Sequence, residues 1–98
     1  MKVTLQQRAE IARRSLTRSD KNQVGKAIAS LNELNFEKAL SSPDFHKLAG
    51  LSQTQLYAYR VNNRLRLIIS IDGDKWFVED IVDHLGHLNR LFPLQDKA

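Results

Sequence analysis

The apolar positions of this chain recur at two different periods. Near the start, Leu5, Ala9, Ala12 and Leu16 stand three or four residues apart, with Arg8, Glu10, Arg13 and Arg14 facing elsewhere, and this spacing predicts a helix from Gln6. The polar break Thr17-Arg18-Ser19-Asp20 follows, in which Ser19 or Asp20 is suited to cap a second helix by accepting from its free backbone N–H groups. Val24, Ala27, Ile28, Leu31 and Leu34 carry that helix to about Leu34. Gly25 weakens it locally and marks a place for close packing against the first helix. Two helices joined by a short polar loop predict an antiparallel hairpin, preceded by a short strand over residues 2–5.

Beyond Asn35 the pattern is broken. Phe36, Ala39 and Leu40 fit one or two helical turns, Ser41-Ser42-Pro43 ends them, and Phe45, Leu48 and Leu51 read as anchors of a loop or short helix that stops at Gly50. From residue 55 the period drops to two. Segments 55–61, 64–71 and 75–83 alternate and are rich in β-branched and aromatic residues, which predicts three strands. Asn62-Asn63 and Asp72-Gly73 are turn signals, the second characteristic of a type I′ hairpin. With two-residue loops at both, one face collects Leu56, Ala58, Leu65, Leu67, Ile69, Ile71, Trp76, Val78 and Val82, and the helix hairpin is its available cover. The opposite face then carries Tyr57, Tyr59, Arg64, Arg66, Ile68, Phe77, Glu79, Ile81 and Asp83. An odd loop or a bulge flips everything beyond it. The expected fold is α+β: an N-terminal strand and helix hairpin packed on a small twisted antiparallel sheet, in the order β-α-α-β-β-β.

Length sets the scale. Ninety-eight residues make a single domain spanning residues 1–98. The 42% apolar content suffices for a core, and 27% charged is ordinary. With no cysteine, disulfides and thiolate metal sites are excluded. No secretory leader and no apolar run of bilayer-spanning length is present, so a cytoplasmic location without membrane association is expected. The net charge of +4 favours an anionic partner, either nucleic acid or an acidic protein segment.

The predicted open face holds the candidate chemistry. Arg64 and Arg66, two apart in one strand, point the same way. With Glu79 opposite Arg66, one reading is a cross-strand ion pair on a solvated face, worth about 0.2–1 kcal/mol. The other is a phosphate clamp, because the planar guanidinium fork binds phosphate oxygens through two hydrogen bonds. Tyr57 and Tyr59 have two roles open to them: stacking on bases or packing beneath a loop. His84 and His87 follow the last strand. Histidine exchanges protons near neutrality, so His84 suits either acid–base work or a capping role. Two histidines beside one aspartate make a poor zinc set, and no metal or other cofactor is expected. No glycine-rich phosphate loop and no nucleophile elbow occurs.

The stretch Lys47-Leu48-Ala49-Gly50, followed by LYAYRVNNRLRLIISID and VEDIVDHLGHLNRLF, resembles the RelE/ParE superfamily of toxins from toxin–antitoxin modules. The resemblance covers nearly the whole chain and is strongest from Lys47 to Phe92. It implies a metal-independent endoribonuclease that cuts mRNA, in the ribosomal A site in many members, through attack by the ribose 2′-hydroxyl. Arg66 matches the strand arginine of that family, and His84 lies where members carry a catalytic Lys, Arg or His. His87 is an alternative acid, Glu79 a base or orienting carboxylate, and Arg64 and Arg90 further phosphate contacts. Phe92 stands where many members end with a catalytic tyrosine, and a phenyl ring cannot move a proton. That departure keeps the ParE-like branch open, whose members inhibit DNA gyrase without hydrolysis, as well as a non-toxic RNA- or protein-binding module. The partners implied are a cognate antitoxin, and mRNA or gyrase.

Overall fold

The structure, a computed structural model, describes residues 2–48 and 55–83. Its elements are β1 (Lys2–Leu5), α1 (Gln7–Arg14), α2 (Arg18–Glu33), α3 (Phe36–Ser41), β2 (Phe45–Lys47), β3 (Leu56–Arg60), β4 (Leu65–Asp72) and β5 (Lys75–Asp83). The strands form one sheet in the order β1-β5-β4-β3-β2. β1 runs parallel to β5 and every other pair is antiparallel. The expected α+β architecture is present; α3 is the short helix that Phe36, Ala39 and Leu40 predict, and β2 is a strand where the spacing predicts a loop or short helix.

The helices cover one face of the sheet. Ala9 of α1, Val24, Ala27 and Leu31 of α2, and Ala39 of α3 are buried against Leu65, Leu67 and Ile69 of β4 and Trp76, Val78 and Ile81 of β5. Leu5, Ala12, Leu16, Ile28 and Leu34 pack around them, as their spacing requires. Each large side chain buried in this way contributes roughly 1.5–3 kcal/mol. The cap of α2 is Thr17 rather than Ser19 or Asp20: its hydroxyl accepts from the Asp20 N–H at 3.1 Å. Gly25 is exposed, and a Cβ there would meet nothing within 4 Å, so close helix packing is not its role.

β2 exists because of Phe45. Its ring stacks on Tyr57 at 5.1 Å, meets the Trp76 edge at 5.5 Å and lies 6.3 Å from Tyr59. Phe36 adds an edge-on contact with Tyr57 at 5.9 Å. Phe45 is the cross-strand partner of Tyr59, and the three-residue strand follows from seating that ring in the core. At the other sheet edge, Asn32 Oδ1 accepts from the Val3 N–H at 3.1 Å, tying α2 to β1.

Two departures from the expected register decide which side chains face which way. Tyr59 pairs with Leu67 and Arg60 with Arg66, and the Val61 N–H donates to the Leu65 carbonyl at 3.0 Å. The first hairpin loop is therefore the three residues Asn62, Asn63 and Arg64, an odd number. Parity flips, so Tyr57 and Tyr59 turn under the helices, 5% and 9% exposed, and do not share a face with Arg66. The second departure is a bulge in β5. Ile69 pairs with Val78 but Ile68 pairs with Asp80, leaving Glu79 as the extra residue. Ile81 accordingly faces the helices, while Val82 joins Ala58 and Ile68 in a small cluster on the opposite face. The second hairpin turn is also shifted: Asp72 pairs with Lys75, and only Gly73 has positive φ, at 63°. A type I′ turn needs positive φ at both central residues, so Gly73 leads a turn with glycine in the first central position instead.

Candidate nucleic-acid interface

The face turned away from the helices carries Arg66 on β4, with Arg60 of β3 and Val82 of β5 as its cross-strand partners. Two like charges placed directly opposite, with Cβ atoms about 4.5–5.5 Å apart, repel each other and destabilise a sheet. Such a pair is tolerable where an anion is to be held. Among the described residues neither guanidinium is paired with a carboxylate. Arg66 Nη1 donates to the Asn62 carbonyl at 2.6 Å and the Leu65 carbonyl at 3.0 Å. Arg60 Nη2 donates to Asn63 Oδ1. Neutral acceptors orient both groups and leave their charge in place. Burial pushes the Arg66 guanidinium below its ordinary pKa, the neighbouring Arg60 adds to that, and the Asp44 carboxylate partly offsets it. The site thus gains free energy from any anion that arrives.

Arg64 is a different kind of arginine. It lies in the loop, not beside Arg66, and turns to the helix side. Its Nη2 donates to both carboxylate oxygens of Asp20, at 2.9 and 2.8 Å. The hydrogen bond from Arg64 holds Asp20 below the usual carboxylate range, and Asp20 in turn raises Arg64. This pair fastens the loop to the start of α2, so the expected outward pairing of Arg64 with Arg66 is replaced by Arg60 with Arg66.

Glu79 is also not opposite Arg66. The bulge moves it along the strand, where its Oε2 accepts from the Ser70 hydroxyl at 2.6 Å. Ser70 is four residues from Arg66, about 13 Å along an extended strand, too far for both to act on one phosphate. Tyr57 donates to Gln55 Oε1 at 3.1 Å and lies in the core. Burial raises the Tyr59 hydroxyl above its ordinary value, with the Asp44 charge acting in the same direction and a hydrogen bond with Ser30 opposing it. Neither ring is offered to a base. His84, His87 and Arg90 lie outside the described residues. Asp83, where β5 ends, pairs with Leu65, the neighbour of Arg66. Sequence reasoning missed Arg60, yet a signal existed: in the stretch Arg60 to Arg66, one more loop residue makes the two arginines partners.

Elsewhere, a groove of about 680 Å³ lies on the helix side between α1 and the ends of β4 and β5, lined by Arg8, Ile11, Leu16, Arg64, Ile81 and Asp83 among others. Arg66 does not line it. Among the described residues no group of three or more His, Cys, Asp or Glu side chains is placed to hold a metal ion. Among the same residues no helix is long and apolar enough to cross a membrane.

A chain in the crystal structure of the archaeal RelE–RelB complex from Pyrococcus horikoshii OT3 superposes with a TM-score of 0.66, covering 87% of this chain and 96% of that one. The fold is RelE-like. Identity over the match is 18%, so the likeness rests on architecture. No family model and no curated protein matches the sequence. Within the RelE-like frame, the Arg60–Arg66 pair sits on the sheet face opposite the helices.

Proposed function

We propose that this RelE-like chain is the toxin of a toxin–antitoxin pair and acts as a single-domain mRNA endoribonuclease. The observation that carries the reading is the opposed pair Arg60 and Arg66 on the sheet face opposite the helices, with no carboxylate paired to either among the described residues. Cleavage of RNA by its own 2′-hydroxyl passes through a pentacoordinate phosphorane with extra negative charge. Guanidinium groups fixed before that charge develops stabilise it without reorganising, and such preorganised charge is commonly the largest catalytic contribution. Arg66 contacts the phosphorane oxygens and Arg60 holds the same or the adjoining phosphate. His84, assigned on the family resemblance, is the group proposed to protonate the leaving 5′-oxygen. The solved RelE-like neighbour is a complex with RelB. By analogy an acidic antitoxin covers the arginine face of this chain and masks its charge.

The test is induced expression in bacterial cells, with growth and mRNA 5′-ends followed together. The parent is expected to arrest growth and generate new 5′-ends. Arg66→Ala should lower cleavage by about 10²-fold or more and leave the melting temperature nearly unchanged. Equal cleavage by parent and Arg66→Ala overturns the assignment. Growth arrest with intact mRNA and broken DNA places the chain with gyrase-directed toxins instead.

A further inference from the structure

The loop between β3 and β4 contains more order than a turn requires, and most of it converges on one residue. Asn62 Oδ1 accepts from the backbone N–H groups of Arg64 and Leu65, at 2.8 and 2.9 Å. Its Nδ2 donates to Gln23 Oε1 at 2.5 Å and lies 3.4 Å from Asp20 Oδ1, both on α2. An asparagine amide has two donor hydrogens and two acceptor lone pairs, and here all four are engaged. The reversed amide is excluded: it would set Oδ1 against the Asp20 carboxylate and Nδ2 against two N–H donors. The side chain has one orientation, fixed from two directions. The Asn62 backbone carbonyl then accepts from Arg66 Nη1 at 2.6 Å, the shorter of the two bonds that hold that guanidinium.

We infer that Asn62 is a positioning residue, which transmits the rigidity of the start of α2 to the Arg66 guanidinium on the far face of the sheet. Beyond the Val61–Leu65 bond the loop backbone has one further bond, a long one at 3.5 Å from the Asn62 N–H to the Leu65 carbonyl. Without the link to Gln23 and Asp20, the Asn62 carbonyl is held less firmly, and Arg66 loses part of the support that sets its angle. Among the described residues the Nε and Nη2 of Arg66 donate to nothing, so anchoring Nη1 aims this remaining edge outward. A phosphate takes that edge through two parallel hydrogen bonds. Asn63 does the equivalent for Arg60. The adjacent asparagines are thus neutral brackets for two opposed cations, a task a carboxylate would spoil by cancelling the charge. The catalytic consequence rests on the endoribonuclease reading; the positioning itself does not.

Two measurements separate these. The first is NMR of arginine labelled with ¹⁵N in the guanidinium, on the full chain, reading rotation about the Arg66 Cζ–Nη bonds. Asn62→Ala should speed that rotation several-fold, and Gln23→Ala, which removes the shorter of the two Asn62 bonds to α2 without touching the loop's own turn bonds, should speed it in the same direction. The second is RNA cleavage under single-turnover and steady-state conditions. Both variants should lose about tenfold in kcat with KM within about twofold, since misaimed charge weakens the transition state more than ground-state binding. Asn22→Ala, an exposed neighbour on α2, should match the parent in both. Unchanged Arg66 rotation in Gln23→Ala overturns the positioning role, whatever the activity. Faster rotation in a chain whose parent form cuts no RNA, either free or on translating ribosomes, supports the positioning role and removes the endoribonuclease reading.

Discussion

The two hairpins that meet in β4 are built from opposite materials. The β4–β5 hairpin turns on Gly73, whose positive φ lets two residues reverse the chain, and it then needs a bulge at Glu79 to complete its register. The β3–β4 hairpin has no glycine. It spends three residues and a set of side-chain bonds to α2 on the same reversal. Backbone freedom closes the first, and tertiary contacts close the second. The difference has a functional side. A glycine turn is self-sufficient and can sit at a remote edge, whereas a loop that leans on a helix couples the helix layer to the opposite face of the sheet. The candidate anion site is on the second kind.

The sharpest way to break this comparison is to delete Asn63. A two-residue loop restores the even parity that the alternation first implies, and Tyr57 and Tyr59 can then no longer share a face with Leu67 and Ile69. Each large aromatic lost from a core costs about 3–5 kcal/mol, and a domain of this size has only about 5–15 kcal/mol in total. The deletion variant should show no cooperative thermal transition by circular dichroism; a parent-like melt would mean that the odd loop is not what orients β3. Next in size is Tyr57→Ala, expected to cost about 3–5 kcal/mol in a urea titration. A tyrosine displayed on the surface for base stacking would cost within about 0.5 kcal/mol, so the measurement decides between core and interface. Smallest is Gly73→Ala. No atom lies within 4 Å of the added methyl group, so the penalty comes from the backbone alone, at about 1–3 kcal/mol. A cost near zero would show that the second hairpin is also held by its surroundings.

How far the sequence could be read follows from which signals are local. Helical spacing placed α1 and α2 within a residue or two, because Ala9, Val24 and Leu31 must reach one core. Alternation likewise found β3, β4 and β5, and the apolar row Leu65, Leu67, Ile69 and Ile71 turned to the helices as expected. What escaped was long-range. β2 owes its existence to Phe45 meeting Tyr57 and Trp76, which no window of neighbouring residues contains. The faces of the tyrosines depended on one loop residue, and those of Ile81 and Val82 on one bulge. In the candidate site the face of Arg66 was legible from the alternation of its strand. Arg60 was not, since its position opposite Arg66 is a property of loop length. Arg64 misled because its partner, Asp20, lies on another element far back in the chain.

The placement of β1 has a consequence for how the molecule is made. Among the described strands β1 pairs only with β5, Lys2 beside Lys75 through Leu5 beside Val78. Pairing over so many residues is entropically slow and cannot begin until β5 has been synthesised. The β1 edge therefore closes late, whereas the β3–β4 hairpin that carries Arg60 and Arg66 joins strands that follow one another and can form without it.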